Sequence, residues 1–213
     1  GSHTVIDRTD WEPLLSYLEL RDLASDETFA AEASELTDRE GALDIWIYLQ
    51  TVLGIDNRGK NMYYVTKNRG NSRKIYFAPW DMDITWGDAL QEGRDGNIWS
   101  IGLNTALYSE RINWSFGDRL LELDVDDSRA YVNDRWTELR QGVLSDESLT
   151  EAVDGLVHQV QDSGAASRDA SRWPDSSSGQ DYELFKRMAL YRMGILDYYF
   201  AGRLEEYLGL GYE

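Results

Sequence analysis

The segment from Thr37 to Gly54 constrains the fold of this chain most strongly. Leu43, Trp46, Ile47, Leu49 and Leu53 recur within it at helical spacing, and Ala42 and Ile45 widen the apolar surface until little of the cylinder is polar. A helix apolar on most sides belongs at the centre of a core, with other elements packed around it. Thr37 followed by Glu40 reads as a capping box opening this helix, and Gly54 as the left-handed residue that closes it. Ile55 and Asp56, directly after Gly54, are therefore delivered from the middle of the molecule.

The rest of the chain supplies the material to surround such a helix. Trp11–Ala24 carries Leu14, Leu15, Leu18 and Leu23, with Pro13 tolerable in a first turn, and Asp26–Leu36 reads as a second short helix. Met62–Val65 and Lys74–Ala78 are strand-like, joined by the turn residues 68–72, and residues 87–96 read as a loop rich in Gly and Asp. Helical patterning returns over 104–108, 116–123, 128–140 and 145–160. It appears last over 181–208, as one long helix or a kinked pair with Phe185, Met188, Ile195 and Tyr199 inward. Residues 163–180 are rich in Ser, Ala, Gly and Asp, with Pro174, and read as a mobile loop. The fold class expected is α+β, mostly helical, with one hairpin, over a single domain from residue 4 to 213. Gly1-Ser2-His3 reads as a tag remnant.

Composition narrows the chemistry. Cysteine is absent, so thiolate catalysis, thiolate metal sites and disulfides are excluded. Beyond the tag remnant the one histidine is His158, which argues against a Ser-His-Asp triad or a His-rich zinc site; its helical setting gives it a structural or surface role. The net charge of −18 argues against nucleic acid as a partner, because phosphate backbones need a basic face. No apolar run approaches the length of a membrane span. Asp outnumbers Glu, and four lysines stand beside seventeen arginines, a balance expected equally of adaptation to high salt and of a GC-rich genome that favours Arg. Carboxylates, amides and hydroxyls remain as the chemical agents. Asp124-Val125-Asp126-Asp127 before Ser128 suits a helix N-terminus, and Arg135, Arg187 and Arg192 suit structural ion pairs.

Among those agents one constellation stands out. Asp56, Asn61 five residues later, and Asp81 beyond the hairpin match the polar set of kinase-type phosphoryl-transfer sites, where an Asp orients the acceptor hydroxyl and an Asn and a later Asp hold Mg²⁺. Spacing alone supports a catalytic loop and a helix-ending turn equally, since Asp56 and Asn57 both suit turns. Asp81 and Asp83, placed in an extended segment, project to one side. They can then grip a cation like the Asp-x-Asp pair of nucleotide-sugar transferases, serve a glycosidase if a second acid is suitably placed, or decorate an edge strand. Their apolar neighbours Pro79, Trp80, Ile84 and Trp86 make burial costly without a neutralising partner, which favours metal or substrate binding. Trp80 and Trp86 flank the acids as candidate pocket walls, and Lys60 lies inside the loop.

Taken together these residues resemble the CotH kinase family of atypical protein kinases related to a spore-coat protein. The resemblance is carried by the helix 42–53 leading into Asp56 and Asn61, by the hairpin, and by Lys74-Ile75-Tyr76-Phe77-Ala78-Pro79-Trp80-Asp81-Met82-Asp83-Ile84-Thr85-Trp86-Gly87. Supporting stretches are residues 135–140, Leu144-Ser145 and the helix around Arg192. It implies a protein-kinase-like large lobe in which Asp56 is catalytic and Asn61, Asp81 and Asp83 hold Mg²⁺ or Mn²⁺. Lys60, Trp80 and Trp86 lie at the substrate or cofactor. It also implies ATP as phosphoryl donor, a protein hydroxyl as acceptor, and a place in the spore coat or at the cell surface; acceptor identity and oligomeric state are not specified. Nothing before Thr37 reads as a nucleotide-gripping small lobe, and the first lysine is Lys60. An isolated large lobe is expected to bind ATP weakly, and a chain without a small lobe would be a non-catalytic structural module.

Overall fold

A computed structural model describes residues 11–66, 73–91, 100–174 and 182–210. Its helices are α1 (Glu12–Asp22), α2 (Asp26–Leu36), α3 (Arg39–Val52), α4 (Ser115–Glu122), α5 (Ser128–Gln141), α6 (Asp146–Asp162), α7 (Ala165–Arg172), α8 (Tyr182–Phe200) and α9 (Leu204–Leu208). Strands β1 (Met62–Thr66) and β2 (Ile75–Pro79) form one antiparallel pair, and β3 (Asp88–Gln91) and β4 (Ser100–Leu103) another. The architecture is α+β and mostly helical, and no helix of the described residues is long and apolar enough to cross a membrane.

Helix α3 is the axis of the molecule, as its apolar circumference predicts. Ala42, Leu43, Trp46, Ile47, Leu49, Gln50, Thr51 and Val52 are all buried, and α1, α4, α5, α8 and β2 all contribute to the core around it. Trp46 stacks near Phe200 and Tyr207 and donates its indole N–H to Asp118 Oδ1 at 2.8 Å. On the other side Phe116 gathers Tyr17, Phe29, Phe77 and Trp114 at centroid distances of 5.3–6.0 Å. Such tilted and edge-on pairs suit aromatic quadrupoles.

The ends of α3 differ from the expected capping. Thr37 ends α2 instead of opening α3: its hydroxyl donates back to Ala33 O at 2.7 Å, and Asp38 precedes the new helix without a side-chain cap. At the other end the left-handed residue is Leu53 (φ 55°), not Gly54. Burying Leu53 outweighs the local strain. Gly54 is needed for space, because a Cβ there would lie 2.8 Å from Leu49 Cδ2.

Four further elements depart from the expectations. The Gly- and Asp-rich stretch after Gly87 begins with strand β3, which pairs with β4 in the register Asp88 to Leu103 and Gln91 to Ser100. Residues 165–172, expected within a loop, form α7, because Ala165-Ala166 and the alternating Ser, Arg and Asp tolerate a solvated helix that ends before Pro174. The remainder of that loop, 175–180, and the turn 68–72 lie outside the described residues. On α8 the buried set is Ala189, Arg192, Met193, Leu196 and Phe200, with the expected inward residues Phe185, Met188, Ile195 and Tyr199 half-buried at its flanks. Arg192 pairs with no carboxylate among the described residues; it binds main-chain carbonyls instead.

Other polar residues take structural places. Arg135 pairs with Asp44 and Glu138, Asp124 accepts the Arg129 N–H in the first turn of α5, and His158 is exposed on α6.

Candidate active site

The loop after α3 is folded by one buried amide. Ile55–Asn57 make a single 3₁₀ turn, which places Asn57 in the interior at 1% exposure. Its Nδ2 donates to Asn61 O at 3.0 Å and to Trp80 O at 2.7 Å, while Trp80 N–H donates to Asn61 O at 2.9 Å. Asn57 thus joins the start of the hairpin to its end, just beyond the last ladder pair, Met62 with Pro79. That closure brings Asp56 and Asn61 into contact: Asn61 Nδ2 donates to Asp56 Oδ2 at 2.8 Å. Lys60 Nζ lies 3.0 Å from the same oxygen, with its side chain 70% exposed. An ion pair so exposed contributes at most about 1 kcal/mol, so Lys60 orients Asp56 more than it stabilises the fold. Both contacts converge on Oδ2, and no partner among the described residues engages Oδ1.

The acids beyond the hairpin are not extended. Asp81 has φ 55°, residues 82–84 turn, and Thr85 Oγ1 closes the turn on Met82 O at 2.9 Å. Strand β2 ends at Pro79; beyond it Trp80 N–H still donates to Asn61 O, but Asn61 is left-handed at φ 55° and the two residues make no ladder pair. The period-two geometry expected for Asp81 and Asp83 is therefore absent. Both side chains are exposed; Asp83 Oδ1 accepts the Ile84 N–H at 3.0 Å, and neither meets a cationic side chain among the described residues.

Trp80 is 57% exposed and meets Tyr63 edge-on at 5.5 Å, beside the acids. Trp86 turns the other way, packing on the core and against Phe185 at 5.7 Å. The two indoles have different aromatic partners, Tyr63 for Trp80 and Phe185 for Trp86. Trp86 is left-handed (φ 53°), with its N–H on Val52 O and its carbonyl accepting the Tyr108 hydroxyl, each at 2.5 Å.

Three participants carried no sequence signal of their own. Asn57 is a turn residue by composition, and its role exists only once the hairpin folds back. Asp88 lies just past the turn; burial, and then the charge of Asp83, push its carboxyl above the ordinary range, and its Oδ1 is buried without a hydrogen-bond partner. Tyr108 reaches the turn from a distant 3₁₀ segment, Thr105–Ser109. On the opposite side of the loop, Arg58 and Gly59 join Arg111, Asn113, Ser115, Asp118 and Glu122 around a groove of about 610 Å³. Asp118 is fully engaged there, by Trp46, Trp114 N–H and Arg111.

The donor set suits a hard divalent cation. No group of three or more Asp, Glu or His side chains forms a cation cage among the described residues. Mg²⁺, however, commonly takes one or two protein carboxylates and completes its shell with water and phosphate oxygens. Asp81 and Asp83 supply exposed carboxylates, Asp83 with one oxygen on the Ile84 N–H, and Asn61, having spent its Nδ2 on Asp56, keeps its Oδ1 for a ligand. In comparisons with known proteins, a family model described as CotH kinase protein matches residues 2–188. No curated protein and no solved structure matches the chain.

Proposed function

We propose that this chain, which belongs to the CotH kinase family, carries the phosphoryl-transfer half of an atypical protein kinase, a kinase-like large lobe that moves the γ-phosphate of ATP to a protein hydroxyl. The observation that carries the proposal is the arrangement at Asp56: two donors, Asn61 Nδ2 and Lys60 Nζ, hold one carboxylate oxygen and leave the other to an incoming hydroxyl. In the proposed step the acceptor hydroxyl gives its proton to Asp56 Oδ1 as its oxygen bonds to the γ-phosphorus, and the bond from that phosphorus to the bridging oxygen of ADP breaks. Asn61 Oδ1, Asp81 and Asp83 would hold Mg²⁺ or Mn²⁺, which when bound neutralises the phosphate oxygens. Lys60 sits where its ammonium can exchange Asp56 for a phosphate, and the exposed Trp80 offers a flat apolar face to the nucleotide. Trp86 acts through its main chain, fixing the turn that carries the acids. By family association the acceptor would be a spore-coat or cell-surface protein.

A nucleotide-sugar transferase built on Asp81 and Asp83 is the lesser reading, because the two acids lie in a turn and not in the extended segment that reading assumed. Calorimetry separates the readings. Mg-ATP should bind, Asp81→Ala should abolish binding with an unchanged unfolding midpoint, and a UDP-sugar with Mn²⁺ should give no heat. Binding of the UDP-sugar alone would select the transferase; binding of neither would select a non-catalytic structural module.

A further inference from the structure

The loop that carries Asp81 and Asp83 holds two residues, Asp81 and Trp86, in the left-handed region that non-glycine side chains avoid. Such conformations persist only where their surroundings over-determine them. We propose that Tyr108 is the positioning residue that does so, with Arg192 behind it, and that it sets the affinity of the acid loop for a divalent cation. The inference rests on the metal-binding role proposed above for Asp81 and Asp83.

The connections are continuous. The peptide groups flanking Trp86 are gripped on both sides, the N–H by Val52 O at the end of α3 and the C=O by the Tyr108 hydroxyl. Gly87, next in line, has φ +77°, and a Cβ there would lie 2.6 Å from Tyr108 Cε2, so the phenol ring lies flush against the main chain. Gly87 O in turn accepts the Asn104 N–H at 2.5 Å, closing the turn onto the segment that bears Tyr108. Tyr108 is itself fully buried and fixed through its carbonyl, which accepts from Arg192 Nη1 at 3.0 Å.

Arg192 explains why the anchor is rigid. It is wholly buried and pairs with no carboxylate among the described residues, yet it donates to Gln50 O, Tyr108 O, Glu110 O and the Tyr207 hydroxyl at 2.8–3.0 Å. A buried guanidinium is tolerated only when its donors are satisfied, so this one fixes α3, the Tyr108 segment and α8 in one arrangement. Burial pushes the Tyr108 hydroxyl up to about 12, with the Asp88 charge adding to it, so the group remains a donor at any physiological pH. An ordinary core tyrosine needs only some acceptor for its hydroxyl; here the acceptor is the carbonyl at the foot of the acid loop.

Tyr108→Phe keeps the ring against Gly87 and removes only the hydroxyl, so it isolates the proposed role. Mn²⁺ binding, read by the loss of the free-ion EPR signal without nucleotide, should weaken about tenfold, the low end for outer-shell changes at metal sites. Amide hydrogen exchange should accelerate over residues 82–88 and stay unchanged in α3, β1 and β2. Wild-type values in both measurements would overturn the proposal, and so would acceleration spread evenly over the whole chain, which would make Tyr108 a plain core residue. If the wild-type protein itself binds no Mn²⁺, the metal role of Asp81 and Asp83 fails, and the exchange pattern alone decides whether Tyr108 holds the loop.

Discussion

Asn57 donates both amide hydrogens to main-chain carbonyls, one at each end of the hairpin, from a position that water does not reach. Asn57→Ala leaves Trp80 O without its donor and Asn61 O with only the Trp80 N–H, and should cost about 1–3 kcal/mol in urea unfolding; a loss within error would show that the junction is held elsewhere. Asp88 is the opposite case, a residue the fold tolerates at a cost. Its carboxyl is raised by burial and then by Asp83, so the folded state holds its proton more tightly than the unfolded chain does. Its contribution to stability is complete below the unfolded range near pH 4 and is lost as pH rises through the folded value. Asp88→Asn should therefore raise the melting temperature at pH 7, and the advantage should shrink towards pH 3. Asp56 and Asn61 were legible in the sequence because their spacing is local. Asn57 and Tyr108 were not, because their hydrogen bonds reach 23 and 22 residues along the chain.

Among the elements, α3 does most to place the site, and its last turn shows burial winning over backbone preference. A left-handed Leu53 costs about 1–2 kcal/mol, but its side chain is 1% exposed, and burying a leucine is worth about 1.5–3 kcal/mol. The residue that must stay small is Gly54. Gly54→Ala should destabilise by about 1–3 kcal/mol, as overpacking against a buried Leu49 does; an unchanged denaturation midpoint would show that Leu49 yields freely. Periodicity makes α3 and α4 readable, because each presents apolar residues at helical spacing to one core; α6 follows the pattern less, burying only Val153. The pattern fails for α7, which buries no residue and whose Ala, Ser, Arg and Asp composition reads as loop. The pair β3–β4 escapes for a related reason: a Gly- and Asp-rich composition reads as loop, while the pairing depends on residues across an intervening segment. The turn at Asp81 escapes because Asp-x-Asp after a strand reads as more strand. Asn61, across the hairpin from Trp80, is left-handed as well.

At the scale of the molecule, one buried cluster running from Tyr17 to Leu208 supports the site, and a charge of −18 surrounds it. Many arginines pair with carboxylates at the surface, but each exposed pair is worth under about 1 kcal/mol, and the excess negative charge repels itself over longer distances. Screening should therefore stabilise: the unfolding midpoint is expected to rise from low to molar NaCl, and a flat or falling midpoint would mean that the pairs dominate. The helical α+β class and the family were both readable from the sequence, since they rest on helical spacing and on the Pro79–Gly87 block. The capping, the left-handed turns and the Arg192 network were not, since each is a settlement between segments distant in sequence. In the proposed reaction Asp56, oriented by Asn61 and Lys60, acts with Asp81 in phosphoryl transfer. The most direct test is transfer of radiolabel from [γ-³²P]ATP to protein hydroxyls with Mg²⁺ or Mn²⁺, comparing wild type with Asp56→Asn and Asp81→Ala. Label is expected from the wild type and none from either folded variant; label undiminished by either substitution, or none from a wild-type protein that binds Mg-ATP, rules out phosphoryl transfer at this site.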